Sequence, residues 1–251
     1  MGCRSEHANG QRCDGAEHRD RTSPGGRRGT QRRIAPLHPA WVLMLAAAAA
    51  FAYAATTLRN SRISEYGLLA TASPLLIASI VLTALAFAAA VRRREFRAAV
   101  VATALMIAVQ RLPAVIATDS PPMYSWTYKH LGVVDYIQHE HALARGIDVY
   151  HSWPGLFGFT AWLSDLSGVA PVTLAHGFTP PLFHVVFVSL VFVAARAWDL
   201  DRLQALTASF LAAALNWVAQ DYYSPQSTVM VLTAGIVCLI GLSRTKPVAS
   251  R

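Results

Sequence analysis

The chain has 251 residues, of which 54% are hydrophobic and only 14% are charged, and its mean hydropathy is +0.35. Soluble globular domains carry about 25% charged residues, so this composition disfavours an ordinary soluble enzyme and indicates a membrane protein. The three cysteines (Cys3, Cys13 and Cys238) lie far apart, which excludes a disulfide scaffold and a cysteine-based zinc site.

Six apolar segments approach the length of a membrane-spanning helix, because a hydrocarbon core of about 30 Å needs roughly 20 apolar residues. In chain order they are Ala40–Thr57, Leu68–Val91, Ala98–Ala117, Pro181–Trp198, Leu203–Ala219 and Ser227–Leu242. A seventh stretch, residues 155–170, contains Asp165 and three glycines, so we expect a short re-entrant or interfacial helix there. The sequence therefore predicts an all-α, polytopic helical membrane protein with about six transmembrane helices.

The positive charges give these spans an orientation. With the N-terminus in the cytoplasm, the cytoplasmic segments hold 17 of the 22 Lys and Arg residues, and the outer segments hold five. The positive-inside rule then predicts a multi-pass protein of the plasma membrane with both termini cytoplasmic. The same distribution accounts for the net charge of +8 without nucleic acid as a partner.

Composition divides the chain into three regions. Residues 1–38 are polar and Arg-rich and are typical of a disordered cytoplasmic tail, residues 39–243 form the transmembrane domain, and residues 244–251 form a second tail. The run from Arg32 to Ala54 also has the pattern of a secretory signal with an A-x-A cleavage site, so cleavage of the first helix stays open.

One outer connection, residues 118–180, is far longer than the others, and long connections in compact proteins are usually functional. It holds five of the 14 acidic residues and five of the nine histidines. Within it we predict a helix over Leu131–Arg145 that is ended by Gly146 and lies along the membrane surface on a narrow apolar face. That face is formed by Val133, Val134, Ile137 and Ala144.

On this helix Asp135 and His139 are one turn apart and share a face. Glu140 and His141 point elsewhere, so a metal held by Asp135, His139 and His141 is geometrically awkward. The cofactor therefore stays unknown, since a divalent metal has no clear ligand set. A solvated polar face with local ion pairs explains the same residues equally well.

Further candidates lie around this helix. Tyr150 and Trp153 are either interfacial anchors or platforms that stack on sugar rings or an isoprenoid. Arg111 lies near the outer end of the third span, where placing a charged side chain in hydrocarbon has a high free-energy cost. It is a candidate to bind a lipid phosphate, to pair with an outer acid, or to extend its charged end to the membrane surface. The segment between spans five and six adds residues that either form a capped turn or help to wall a site: Asp221, Tyr222, Tyr223 and Gln226.

Residues 135–155 resemble the first outer loop of C-type integral-membrane glycosyltransferases. In that superfamily an acidic residue opens a juxtamembrane helix, and a Pro-containing segment leads back into the membrane; here Asp135 and Pro154 hold these positions. The run from Asn216 to Gln226 is similar to a segment of uncharacterised actinobacterial membrane proteins of this type. The resemblance covers about a hundred residues with loose motifs.

The resemblance implies transfer of a sugar from a polyprenyl-phosphate donor to a cell-envelope acceptor on the outer face. It makes Asp135 the general base, with Arg111, His139, Tyr150, Trp153, Asp221, Tyr222, Tyr223 and Gln226 as candidate substrate-binding residues. The usual acidic pair is Asp135-Tyr136 here, which puts metal dependence in doubt. Because the superfamily normally has more spans, the chain is expected to be an N-terminal portion of such a protein, a truncated gene product, or a relative that has lost catalysis.

Two other interpretations remain. A non-catalytic membrane scaffold or assembly subunit, with unknown protein partners, needs only spans and turns. A transporter is less favoured, because transporters place charges near the bilayer midplane, whereas these spans are nearly free of charge apart from Arg111.

Overall fold

The computed structural model describes residues 38–58, 68, 72–118, 124–144, 146–216 and 222–245. Within these ranges the chain is helical and has no β-strand. The helices are α1 (Pro39–Leu58), α2 (Pro74–Arg92), α3 (Phe96–Thr118), α4 (Ser125–Glu140), α5 (Val149–Ser152), α6 (Gly155–Ser167), α7 (Pro171–Thr173), α8 (Thr179–Ala197), α9 (Arg202–Leu215) and α10 (Pro225–Thr245), with a π-helical turn over Leu174–Phe178 that joins α7 to α8.

The predicted all-α membrane fold is confirmed. Five helical segments are long and apolar enough to cross a membrane: α1, α2, α3, α10 and the continuous run that ends with α8. The predicted span over 203–219 differs, because α9 has only 14 residues and ends at Leu215. At 1.5 Å per residue α9 is about 21 Å long, which is shorter than a hydrocarbon core. The last predicted residues of that span, 217–219, lie outside the described part of the chain.

Contacts between helix ends define one side of the bundle, here called the basic face. His38 Nε2, just before α1, lies 3.2 Å from Glu95 Oε1 in the α2–α3 turn. Arg94 of the same turn interacts electrostatically with Asp201, which caps α9. The guanidinium of Arg244, near the end of α10, lies 4.6 Å from the ring centroid of Trp198, which follows α8.

The opposite side is called the loop face, and it carries α4 to α7. Leu58, at the end of α1, clusters there with Ile116 and Ala117 of α3. The end of α9 is bound to the outer part of α3, since Gln110 Nε2 donates to the carbonyl of Ala214 at 3.2 Å. Each of α1, α2, α3, α8, α9 and α10 therefore runs between the two faces, although α9 is short.

The main core lies between the long helices and is rich in alanine. Small side chains let neighbouring backbones approach closely, which is how membrane helices gain packing energy where lipid is as apolar as the protein. The central aromatic contact is a stacked pair, Phe87 of α2 and Phe210 of α9, whose ring centroids are 3.8 Å apart.

Three buried hydroxyls of the main core are bonded within their own helix. Thr83 donates to the carbonyl of Ser79 at 2.7 Å, Thr103 to that of Ala99 at 2.9 Å, and Ser209 to that of Ala205 at 3.1 Å. This arrangement satisfies polar groups locally, as an environment without water requires.

The short helix predicted over 155–170 is confirmed as α6, which ends at Gly168 in the left-handed conformation (φ 70°). The predicted second span begins later than Leu68, because Ser73 caps α2 and Pro74 occupies its first turn. The expected tail over residues 1–38 and most of the tail over 244–251 lie outside the described residues.

The predicted bounds of the loop helix are wrong. The helix is α4, which starts six residues earlier, at Ser125, and ends at His141, whose φ of 49° is left-handed and whose N–H bonds to the carbonyl of Ile137. A tertiary contact replaces the expected last turn, since the N–H of Ala144 donates to His151 Nδ1 at 3.3 Å. Gly146 has a φ of 89° but lies in a later turn.

The expected burial of α4 against a membrane surface also needs correction. Val133 and Val134 are buried in one cluster with Phe157 and Ala161 of α6. Gln138 of α4 donates to Asp165 of α6 at 2.6 Å, which fixes the outer end of the same helix pair. The apolar face of α4 is thus covered by protein.

Candidate functional site at the loop face

A second, smaller core lies at the loop face and is centred on His130 of α4. His130 is only 1% exposed. Its Nδ1 lies 2.9 Å from the backbone carbonyl oxygen of Tyr223, a residue that is 93 positions later in the chain. The contact therefore ties the long loop to the segment that leads into α10.

Aromatic rings surround the imidazole of His130. The ring centroids of Tyr150 and Phe157 lie 4.9 Å and 5.6 Å from it, and those of Tyr222 and Tyr223 lie 6.2 Å and 6.4 Å from it. Most of these contacts are edge-on or tilted, the geometry that aromatic pairs favour. Three separate stretches of the chain, α4, α5–α6 and residues 222–223, thus share one buried cluster.

Tyr223 is the largest fully buried side chain of this core. Its hydroxyl donates to Thr160 Oγ1 of α6 at 2.8 Å, and Thr160 in turn donates to the carbonyl of Leu156 at 2.9 Å. Burial raises the pKa of the Tyr223 phenol above its ordinary value, so this side chain stays neutral. The chain of bonds anchors residue 223 to α6.

The hydrogen bond of His130 determines its tautomer. A carbonyl oxygen only accepts, so Nδ1 carries the proton and Nε2 carries the lone pair in the neutral ring. Nε2 is buried and has no hydrogen-bond partner among the described residues. Burial lowers the pKa of His130, while the bond to the Tyr223 carbonyl acts in the opposite direction. His130 is therefore neutral near pH 7.

An ion pair borders this core. Lys129 Nζ lies 3.2 Å from Asp148 Oδ2 and 5.0 Å from the ring centroid of Tyr150. Asp148 also accepts the backbone N–H of Tyr150 at 3.0 Å, which caps the short helix α5. That N–H bond, followed by the interaction with Lys129, lowers the pKa of the Asp148 carboxyl. The pair holds α5 against α4.

Asp135 and His139 form a separate, exposed pair on α4. His139 Nδ1 lies 3.3 Å from Asp135 Oδ1 and 2.9 Å from the Asp135 carbonyl, and both side chains are 73% exposed. The carbonyl bond, and next the charge of Asp135, raise the pKa of His139. Asp135 is five residues from His130, which places it about 140° around the helix from the buried core.

The structure brings only some of the predicted site residues together. Tyr150, Tyr222 and Tyr223 meet around His130, and Tyr223 is buried there as a core residue. Trp153 is 74% exposed and Gln226 is exposed, and neither lines this core. Asp221 lies outside the described residues.

Arg111 has a structural partner. Its Nη2 donates to the backbone carbonyl of Asn216 at 3.2 Å, next to the bond from Gln110 to the Ala214 carbonyl. Carbonyls at the end of a helix lack partners within the helix, so these two side chains of α3 complete the end of α9. The acids considered as partners of Arg111, Asp119 and Asp221, lie outside the described residues.

The three side chains considered as metal ligands, Asp135, His139 and His141, do not form a ligand group in the structure. Among the residues that the structure describes, no group of three or more His, Cys, Asp or Glu side chains is placed to hold a metal ion. His141, the awkward third ligand, sits at the left-handed end of α4 and leaves the helix there. Asp135 and His139 remain a pair of exposed side chains on α4, 3.3 Å apart.

Sequence reasoning missed the residues at the centre of the buried core: His130, Thr160 and Phe157. A usable signal existed for His130, which stands three and four residues before Val133 and Val134 and so falls on the apolar stripe of α4. Thr160 gave no signal, since its partner Tyr223 comes from a distant segment.

A scan against protein-family models, a search of curated proteins and a search of solved structures each find no match.

Proposed function

We propose that this protein is a membrane glycosyltransferase of the polyprenyl-phosphate-dependent type, with its loop face on the outer side of the plasma membrane and its basic face in the cytoplasm. The observation that carries the proposal is the exposed pair of Asp135 and His139 on a helix that a buried core holds in place. The cluster of arginines at the opposite helix ends supports the orientation.

The proposed reaction assigns a proton transfer to Asp135. The hydroxyl oxygen of an acceptor glycan attacks the anomeric carbon of the donor sugar, and the bond from that carbon to the phosphate oxygen breaks. The polyprenyl phosphate leaves with the electron pair, and the Asp135 carboxylate takes the hydroxyl proton. The contact between His139 Nδ1 and Asp135 Oδ1, at 3.3 Å, orients the carboxylate on the exposed side of α4.

The packing of α4 against α6 supports the proposal that neighbouring residues hold Asp135 in position. α4 is braced on its inner side by the cluster with α6 and at its outer end by the bond from Gln138 to Asp165. A base on a braced helix keeps its position as the acceptor arrives, which a positioned catalyst requires. Trp153, with its exposed ring, offers a surface on which a sugar can stack.

The test compares Asp135→Asn with Glu140→Gln, which removes a neighbouring exposed acid of the same helix. Membranes that contain each full-length variant are incubated with polyprenyl-phosphate monosaccharides carrying a labelled sugar, and incorporation into envelope glycan is measured. We expect Asp135→Asn to reduce transfer about 10²- to 10⁴-fold, the usual contribution of a general base, and Glu140→Gln to leave it unchanged. Full transfer by Asp135→Asn at normal protein levels would exclude the assigned base.

A second candidate function, a non-catalytic assembly subunit, is favoured by exposed aromatic side chains at the loop face. Trp126 and Tyr128 are more than half exposed on α4, and aromatic residues are enriched where proteins bind one another. This function predicts that wild-type protein shows no transfer in the same assay. It also predicts that Trp126→Ala, but not Asp135→Asn, reduces the size of the complex that carries the protein in mild detergent.

A further inference from the structure

An apolar groove lies between α8 and α10, away from the loop-face site. Its volume is 510 Å³, and its walls include Phe187, Val191 and Trp198 on one side and Met230, Ala234 and Val237 on the other. Both helices belong to segments long and apolar enough to cross the membrane, so the groove opens at bilayer depth. A ligand of this groove must present an apolar chain.

The groove ends where the two helices touch. A Cβ atom added to Gly241 of α10 would lie 2.8 Å from the Cβ of Ala197 and 2.9 Å from Nε1 of Trp198. Such distances leave no room for a side chain, so glycine permits the contact that closes this end. The closed end lies at the basic face, beside the Trp198 and Arg244 contact.

The length of the groove matches one leaflet. Its lining on α8 runs from Phe187 to Trp198, which is about 16 Å of helix at 1.5 Å per residue. The hydrocarbon core is about 30 Å thick, so the groove reaches from the basic face to about the bilayer midplane. An acyl chain of a lipid in the leaflet of the basic face fits this depth, whereas a polyprenyl chain is much longer.

The end of the groove at the basic face carries a cationic side chain, Arg244, beside Trp198. The guanidinium of Arg244 lies over the Trp198 ring at 4.6 Å from its centroid, a cation–π contact that places the cation at this end of the groove. A planar guanidinium recognises phosphate oxygens through its N–H groups. Arg196 and Arg202 lie at the same helix ends, where Asp199 and Asp201 offset part of their charge, so Arg244 is the cation assigned to the headgroup.

We propose that the groove between α8 and α10 is a binding site for one anionic glycerophospholipid of the leaflet at the basic face. An acyl chain lies along Phe187, Ala234 and Val237, and the headgroup phosphate binds Arg244 at the edge of Trp198. The site is separate from Asp135 and does not depend on the proposed transferase activity.

The first experiment measures lipid retention by the purified full-length protein with native mass spectrometry, using phosphatidylglycerol and phosphatidylcholine as probes. We expect one phosphatidylglycerol to bind about tenfold or more tightly than phosphatidylcholine, since the choline cation offsets the phosphate charge and weakens the charge-assisted contact to Arg244. Equal retention of the two lipids would overturn the role of Arg244. Tighter binding of a polyprenyl phosphate than of phosphatidylglycerol would overturn the phospholipid assignment.

Matched variants distinguish the part of the groove that binds the acyl chain from the part that binds the headgroup. Ala234→Phe fills the groove and is expected to abolish retention of phosphatidylglycerol, while Ile236→Phe, on the exposed side of the same helix, leaves it unchanged. Arg244→Gln is expected to remove the preference for the anionic lipid, while Arg93→Gln, in the α2–α3 turn, keeps it. Wild-type retention by Ala234→Phe would show that the lipid binds elsewhere.

A measurement on the native groove keeps the proposal testable if Ala234→Phe does not fold. Wild-type protein and Trp198→Phe are placed in vesicles of phosphatidylcholine with a minor fraction of brominated phosphatidylglycerol, and tryptophan quenching is compared. We expect the difference between the two proteins to show Trp198 strongly quenched, since the brominated chain lies against its ring. Quenching of Trp198 no greater than that from brominated phosphatidylcholine would overturn the proposal.

Discussion

The two cores of this protein satisfy their buried polar groups in opposite ways. Between the long helices, the buried hydroxyls of Thr83, Thr103 and Ser209 each bond to a carbonyl of their own helix. At the loop face, the bonds join distant segments, as His130 does with Tyr223 and Tyr223 does with Thr160. The first kind of bond exists before the helices pack, whereas the second kind exists only when the whole loop face has assembled.

This difference separates what holds the membrane bundle from what holds the candidate site. The bundle depends on close packing of small side chains and the Phe87 and Phe210 stack. The loop face depends on a few cross-segment polar contacts inside an aromatic cluster. Losing one of those contacts should loosen α4, and with it Asp135, while the long helices stay packed.

Tyr223→Ala is the substitution with the largest expected effect on the loop-face core. The substitution empties the centre of the loop-face core and removes both the bond to Thr160 and the packing against His130. Truncating a buried aromatic costs about 3–5 kcal/mol, so we expect the loop face to open while the bundle remains. Limited proteolysis in detergent, with cleavage mapped to the segment 141–154, measures the opening.

Trp153→Ala is the control for Tyr223→Ala. It removes an equally bulky aromatic ring from the same region, but that ring is 74% exposed, so the proteolysis pattern should stay that of the wild type. Equal protection of Tyr223→Ala and wild type would show that the loop face is held by something other than this core.

The general architecture was predictable from the sequence because its signal is local. Long apolar runs such as residues 74–92 and the arginines at their ends predict spans and faces one segment at a time. The bounds of α4 were not predictable, because its end depends on the contact of Ala144 with His151. Gly146 looked like the natural stop, yet the chain leaves the helix five residues earlier.

The candidate site was only partly predictable for the same reason. Asp135 and His139 are one turn apart, so local spacing sufficed to pair them. The central role of His130 depends on Tyr223, which is 93 residues away, and a single sequence does not reveal such a contact. The pairing of Arg111 with the Asn216 carbonyl was likewise out of reach, because one partner is backbone.

A smaller test compares two buried threonines, Thr160→Val and Thr83→Val. In the loop-face core the substitution leaves the buried hydroxyl of Tyr223 without its acceptor, which costs about 1–3 kcal/mol. In the bundle it removes only a side-chain bond to a carbonyl of the same helix, and that carbonyl keeps its backbone bond in the helix. Thermal unfolding of the two purified variants should therefore show a clear loss for Thr160→Val and almost none for Thr83→Val.

One result would contradict the contrast between the two cores. If both substitutions destabilise the protein equally, the location of the hydroxyl does not matter and the contrast between the cores is not energetic. Tyr223→Phe then tests the same bond from its other end, because it removes the hydroxyl but keeps the ring.

The smallest expected effect is a pH dependence that only the loop face shows. Burial lowers the pKa of His130 in the folded protein below the ordinary value of 6.5. The unfolded chain therefore binds the proton more readily, so stability is full above about pH 6.5 and decreases as the pH falls towards the folded value. The groups that face this ring partly offset one another, since Lys129 lowers the pKa and Asp148 raises it.

The measurement is protease resistance of the loop face between about pH 8 and about pH 5, the range in which histidine titrates. We expect resistance to decrease towards the acid end in the wild type and to be nearly constant in His130→Asn, whose amide can still donate to the Tyr223 carbonyl. The exposed His139 has a raised pKa, so its contribution has the opposite sign and is lost as the pH rises. An acid-induced loss of resistance that persists unchanged in His130→Asn would show that His130 is not the titrating group and would overturn this prediction.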